Sequence, residues 1–468
     1  MLIIVIYTKG DIMTYKTTYP YTGEVLQEYA NATAEDLEKA LTTGHALYKT
    51  WRGTPVSERA AILQKIADTI VAHKEELAKA MTYDMGKLLT EAEGEVDLCA
   101  NIVSYYAQKG EEFMADKPLE SPAGNAHYVK QSTGVIVAVE PWNFPLYQVV
   151  RVFAPNFIVG NPIILKHASI CPKSAQLFAD LVIEAGAPEG ALTNLFIDYD
   201  LVAKAIHDPR VAGVCLTGSE RGGAAVAKEA GEALKKSTLE LGGNDAFIIL
   251  DDADWDEVKA VAPGARLYNA GQVCTSSKRF IVLADKYDEF IDILKDAFSK
   301  AKVGDPMDPT TDVAPLSSKS AQEKLQKQVD TAVAGGATLV YSQDPVDGDG
   351  FFFQPTILTD ITKDNPIYNQ EMFGPVASVY KVNSEEEAIA LANDSSYGLG
   401  NTIFSSDIDH AQRVAEQIET GMSFINSGWA SLPELPFGGV KNSGYGRELS
   451  ELGLNAFVNE HLIFEPTK

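Results

Sequence analysis

The stretch Val211-Ala212-Gly213-Val214-Cys215-Leu216-Thr217-Gly218-Ser219 decides the fold. Its apolar run is short and ends in a glycine–serine turn, and a helical pattern follows from Ala224 to Leu234. A short apolar run between turn residues suits a strand buried on both faces, and a strand that turns into a helix starts a parallel βαβ unit. Amide groups at the start of such a helix can receive a pyrophosphate. Gly223 follows Gly218 by five residues, so the spacing is not G-x-G-x-x-G, which occurs nowhere in the chain.

The same grammar extends outward. Apolar runs lie at Val135 to Val139, Ile163 to Leu165 and Phe247 to Leu250. Further strands are predicted at Phe280 to Leu283, Thr338 to Tyr341 and Ala377 to Val382. Thr33-Ala34-Glu35-Asp36 reads as a helix start with an acidic first turn. Thr54-Pro55 opens a second helix with proline at its first position, and Ile62, Ile66, Ile70 and Leu77 form its apolar face. Gly304-Asp305-Pro306-Met307-Asp308-Pro309 reads as an exposed turn. Strands alternating with helices predict an α/β protein built on an open, doubly wound sheet, with a second α/β sheet after Glu240.

The 468 residues exceed one ordinary core and suit two or three domains. With 45% hydrophobic and 22% charged residues the chain is globular rather than disordered. The net charge of −26 argues against nucleic acid or an anionic membrane as partner. It also implies that an anionic substrate needs a local cation in its pocket. Cys99, Cys171, Cys215 and Cys274 are scattered, with no Cys-x-x-Cys, so neither zinc nor a disulfide framework is expected, and the compartment reads as cytoplasmic. Leu2 to Ile6 is shorter than the about 7–15 apolar residues of a signal segment. It is expected to be a short strand or an upstream extension, with Met13 as an alternative beginning.

Two runs carry chemistry. Asn269-Ala270-Gly271-Gln272-Val273-Cys274-Thr275 offers a thiol among small residues, and Glu240-Leu241-Gly242-Gly243-Asn244 offers a carboxylate between leucines. A thiolate can attack a carbonyl carbon and hold the product as a thioester; a carboxylate can then activate the water that releases it. An apolar setting raises a glutamate's pKa towards neutrality, which suits a base. Asn143, in Pro141-Trp142-Asn143-Phe144-Pro145, is a candidate donor to the alkoxide formed by that attack.

These runs, with Leu216-Thr217-Gly218-Ser219, Asn369-Gln370-Glu371-Met372-Phe373-Gly374-Pro375 and Pro436-Phe437-Gly438-Gly439-Val440-Lys441, resemble the aldehyde dehydrogenase superfamily in order and separation from about Tyr15 onward. The resemblance implies Cys274 as nucleophile, Glu240 as general base and Asn143 as oxyanion donor. It implies a Rossmann-type cofactor domain (13–114 and 134–240), a catalytic domain (241–430) and an oligomerisation arm (115–133 and 448–468) of a homodimer or homotetramer. Trp142, Gly218, Ser219, Gly223 and Leu241 then border the cofactor. Lys166 matches a lysine that contacts the adenosine ribose, Glu371 the residue that holds the nicotinamide ribose, and Phe373 packs beside that ring. NAD-preferring members often carry a glutamate where this chain has Ser169. A glutamate repels a 2′-phosphate and a serine donates to it, so NADP is expected, with NAD the alternative.

Arg151 stands where semialdehyde and hydroxyaldehyde enzymes of the superfamily tend to have arginine. A guanidinium binds a carboxylate bidentately. The resemblance is therefore to the succinate-semialdehyde branch, with Ser431 as a second substrate contact. Some members of that branch carry a second arginine where this chain has Tyr268. Lactaldehyde or another short-chain aldehyde is the alternative, and a CoA-acylating reaction a remote one, because that branch lacks the glutamate. No metal is expected.

Overall fold

The computed structural model describes residues 14–467. Leu2 to Ile6 and Met13 lie outside the described residues. The first half builds a six-stranded sheet in the order Gly444–Tyr445, Lys236–Glu240, Val211–Thr217, Val135–Glu140, Ile163–His167, Leu192–Asn194. All neighbours are parallel except Gly444–Tyr445 on its edge. The chain winds one way from Val135–Glu140, then returns to the other side with Val211–Thr217. The switch point of the sheet therefore opens beyond Glu140 and Thr217, where such folds bind ligands.

Alternation explains the layering. Ile136 and Ala138 pack on one face with Phe153, Phe157 and Phe178, while Val135, Val137 and Val139 pack on the other with Leu37, Leu41 and Val226. Helices thus cover both faces, as a parallel sheet requires. Phe157 sits edge-on to Trp51 at 4.6 Å, and truncating such a buried ring typically costs about 3–5 kcal/mol. The second sheet runs Thr338–Ser342, Thr356–Thr359, Val376–Val382, Arg279–Leu283, Ala246–Ile249, Gly400–Phe404, Met422–Ile425, with Thr338–Ser342 antiparallel to its neighbour. A separate three-stranded antiparallel sheet joins Val458–Pro466, Gly124–Ser132 and Lys117–Leu119. Its outer strand exposes Leu462, Ile463 and Phe464.

Local expectations hold or shift for identifiable reasons. Thr33 caps the first helix through a complete capping box. Pro55 is the cap of the Val56–Ala72 helix, not its first residue. That helix stops before His73 and Leu77 belongs to the next one, Lys74–Met85, because two consecutive helices keep the same apolar spacing. The helix after Val211–Thr217 starts at Glu220 rather than Ala224, because the Ser219 hydroxyl accepts from Gly222 N and caps it there. The turn around Pro306 is not simply exposed: Pro306 is buried, and its carbonyl accepts from Leu89 N at the start of the Leu89–Met114 helix. No helix among the described residues is long and apolar enough to cross a membrane.

Candidate active site

A cleft of about 870 Å³, counting its open mouth, lies at the switch point. Trp142 and Asn143 line it beyond the end of Val135–Glu140, Gly218 and Ser219 beyond Val211–Thr217, and Leu241 and Gly242 beyond Lys236–Glu240. Cys274, Glu371 and Phe373 close it from the second half of the chain. A wider hollow borders Tyr268 and Trp429, but neither Cys274 nor Asn143 lines it.

The loop before the thiol has an uncommon shape. Asn269, Ala270 and Gly271 have φ of 50°, 51° and 72°, a left-handed run that costs roughly 1–2 kcal/mol for each residue with a side chain. Surrounding bonds hold it. The buried Arg266 guanidinium donates to Gly271 O, Ser276 Oγ, Met372 O, Gly374 O and Val376 O. It thereby ties the thiol loop to the loop carrying Glu371 and Phe373. Lys278 Nζ donates to Cys274 O at 2.7 Å and pairs with Glu371 Oε1 at 3.3 Å. Glu371 also accepts from Gly243 N at 3.1 Å.

Asn143 Nδ2 donates to Gln272 O at 3.1 Å, and Asn269 Nδ2 donates to Asn143 O at 2.9 Å. The Asn143 amide has two N–H groups, so one remains for the cleft. The backbone N–H of Cys274 finds no acceptor among the described residues. Burial pushes the Cys274 thiol up to about 12, although Arg151 and Lys278 pull it down. The resting group is a thiol, and attack requires a base.

Glu240 ends its strand 2% exposed, and neither carboxylate oxygen has a hydrogen-bond partner among the described residues. Burial raises its pKa well above the usual carboxylate range; Glu448 adds to this, while Arg151 and Arg447 oppose it. Its setting is therefore charged as well as apolar. The turn that follows abuts the thiol loop: a Cβ added to Gly243 would meet Cys274 O at 2.5 Å.

The cofactor candidates divide between the cleft and its flank. Ser219 caps the Glu220–Glu232 helix, whose first amides lie beside Gly218 at the cleft. Gly223 lets that helix lie close to the sheet, because a Cβ there would meet Leu241 at 2.7 Å. Trp142 and Phe373 meet edge to face at 5.7 Å. Lys166 is 3% exposed and has no hydrogen-bonding or ionic partner among the described residues; its Nζ lies 4.9 Å from the Tyr199 ring centroid. Burial lowers its pKa to about 8. Ser169 follows on the same segment, half-buried, its carbonyl accepting from Lys16 N. An ammonium without a counter-ion among the described residues and a hydroxyl three residues on give this segment the donors that ribose oxygens or a phosphate need.

The aldehyde dehydrogenase family profile matches residues 7–463. The chain belongs to the aldehyde dehydrogenase family. It is 48% identical to a succinate-semialdehyde dehydrogenase [NADP(+)] of Deinococcus radiodurans, over 97% of this chain and 95% of that one. Its structure is similar to that of succinic semialdehyde dehydrogenase from Streptococcus pyogenes in complex with NADP+, with a TM-score of 0.96 and 62% identity over 97% of this chain and 100% of that one. It is also similar to betaine aldehyde dehydrogenase from Staphylococcus aureus in complex with NAD+, with a TM-score of 0.92 and 32% identity over 96% of this chain and 91% of that one.

In this aldehyde dehydrogenase Arg151 has a carboxylate neighbour that its sequence context does not reveal. It lies 1% exposed on the Tyr147–Val159 helix, with its Nε 2.6 Å from Glu448 Oε2. The two charges touch, although the N–H does not point at the oxygen. The guanidinium also lies over the Phe437 and Tyr147 rings at 4.3 and 4.7 Å. Its outer nitrogens make only long contacts, 3.4 Å to Tyr147 Oη and 3.5 Å to Thr217 Oγ1. Tyr147 Oη in turn lies 2.5 Å from Ser431 Oγ. Arg151 and Ser431 were expected near the substrate; Tyr147, which joins them, and Glu448, which neutralises Arg151, were not. Lys324 and Gln328, which line the cleft from the Lys319–Ala334 helix, were missed as well. No motif marks these residues, and a lysine and a glutamine on an amphipathic helix read as solvated surface.

Proposed function

We propose that this aldehyde dehydrogenase oxidises succinate semialdehyde to succinate with NADP as hydride acceptor. The observation that carries the substrate is the Tyr147–Ser431 hydroxyl pair backed by the Arg151 guanidinium, whose field also reaches Cys274. One hydroxyl of the pair donates to the other, which leaves one O–H free, and a free O–H with a buried cation behind it suits a carboxylate held at the far end of a short aldehyde. The names of the Deinococcus and Streptococcus relatives support the same substrate and cofactor. Glu448, paired with Arg151, reduces the positive field, and Tyr268 adds no cation to it, which favours an uncharged short aldehyde such as lactaldehyde as the second reading.

Ionised Glu240 takes the Cys274 proton as sulfur bonds to the carbonyl carbon. The new alkoxide receives hydrogen bonds from the spare Asn143 N–H and from Cys274 N–H, which have no comparable charge to bind in the ground state. Bound NADP supplies the acceptor for the hydride that leaves the same carbon. Lys166 and Ser169 would hold the adenosine side of that cofactor, the amides after Gly218 its pyrophosphate, and Glu371 its nicotinamide ribose. Glu240 releases that first proton to solvent; water then attacks the thioester left on Cys274, Glu240 takes the water proton and passes it to the departing sulfur, and the carboxylic acid leaves by losing its own proton.

Four free cysteines support a reducing compartment, the cytoplasm. The exposed Leu462, Ile463 and Phe464 on the three-stranded sheet support assembly with further copies. The testing experiment is a panel of succinate semialdehyde, lactaldehyde and propanal with NADP and NAD. The highest kcat/KM for succinate semialdehyde with NADP is expected; a preference for propanal would contradict the substrate.

A further inference from the structure

One face of the Leu89–Met114 helix grips both halves of the oxyanion site. Glu91 and Glu95 stand four residues apart, so their side chains project on the same side. Glu95 is buried, and its Oε1 accepts from Leu146 N at 2.9 Å and Tyr147 N at 3.0 Å. Those amides begin the Tyr147–Val159 helix, which has no side-chain cap of its own. Glu95 therefore caps it from a distance, at the positive end of its dipole. The other Glu95 oxygen receives the fully buried Lys87 ammonium, and Lys87 Nζ lies 3.6 Å from the centroid of Phe144, the residue after Asn143.

Glu91 holds the opposite half. Its Oε1 accepts from Asn269 N at 3.0 Å, at the first left-handed residue of the thiol loop. Asn269 Nδ2 donates to Asn143 O, and Asn143 Nδ2 donates to Gln272 O. The Asn143 turn and the Cys274 loop are thus each anchored to one carboxylate of a single helix, and bonded to each other. A shift of about 1 Å in such a group can cost a factor of about 100 in rate.

We propose that Glu95, with its Lys87 partner, is a positioning residue for the oxidation: it fixes the Asn143 amide relative to Cys274, while Glu91 fixes the thiol loop on the same helix. This rests on the reading of Asn143 as oxyanion donor. Glu95→Gln removes the charge that caps the helix and leaves Lys87 unpaired. Lys87→Met/Glu95→Gln removes both charges and avoids the penalty of one buried ion alone.

The experiment is a double-mutant cycle on kcat/KM, with NADP affinity and the iodoacetamide rate of Cys274 measured on every variant. Glu95→Gln and the Lys87→Met/Glu95→Gln pair are each expected to lose about 10–100-fold in kcat/KM while NADP affinity and alkylation rate stay within about two-fold. In an Asn143→Ala background the same changes are expected to cost less than about two-fold, because the amide they position is gone. Equal multiplicative losses in both backgrounds, or full activity of both Glu95 variants, would overturn the proposal. Retained activity of Asn143→Ala alone would instead overturn the reading of Asn143.

Discussion

Arg151 and Glu448 form a buried ion pair, 2.6 Å apart, whose charges both act on Glu240. Glu448 raises the Glu240 pKa and Arg151 lowers it, on top of the larger rise from burial. A base works in its ionised form, so the rate should fall as pH drops through the Glu240 pKa. Glu448→Gln removes a negative neighbour and should move that limb to lower pH. Arg151→Gln should move it to higher pH. The pH dependence of kcat for the three proteins checks both signs; unmoved limbs would contradict the coupling.

Cys274 should be a slow nucleophile at rest. With its thiol pushed up to about 12 by burial, the alkylation rate without aldehyde should rise continuously with pH through the neutral and mildly alkaline range. Alkylation kinetics with iodoacetamide test this. A plateau near neutrality would mean a preformed thiolate.

Tyr147→Phe should separate carboxylated from plain aldehydes. It removes the hydroxyl that lies between Arg151 and Ser431. An expected loss of about 10-fold in kcat/KM for succinate semialdehyde, with little change for propanal, follows from one lost charge-assisted bond. Equal losses for both would place the carboxylate elsewhere.

Ser169→Glu should reverse the cofactor preference. A carboxylate near a 2′-phosphate adds like-charge repulsion, so NADP affinity should drop about 100-fold while NAD binding holds or improves. Titration of both cofactors by fluorescence checks the direction.

The parallel strands were legible because burial on both faces leaves a plain apolar run, as in Val135 to Val139 and Val211 to Leu216. The catalytic candidates were legible because Asn143, Glu240 and Cys274 sit beside glycine- or proline-rich turns. Glu448, Glu91 and Glu95 were not. In a chain of net charge −26 a glutamate outside any such turn reads as surface, and nothing local reveals that its partner is distant in sequence or on another helix. Arg151 was identified as a cation near the substrate, but its neutralisation by Glu448 depends on tertiary contact alone. The break at His73 was hidden for the opposite reason: apolar spacing continues across it from Ile70 to Leu77.

Rapid quench of Glu240→Gln with succinate semialdehyde and NADP tests the covalent cycle most directly. A single equivalent of NADPH per subunit should form, more slowly than with the unaltered enzyme, and turnover should then stall. Mass spectrometry should find a succinyl group on Cys274. Undiminished steady turnover, or an acyl group on any other residue, would contradict the roles assigned to Glu240 and Cys274.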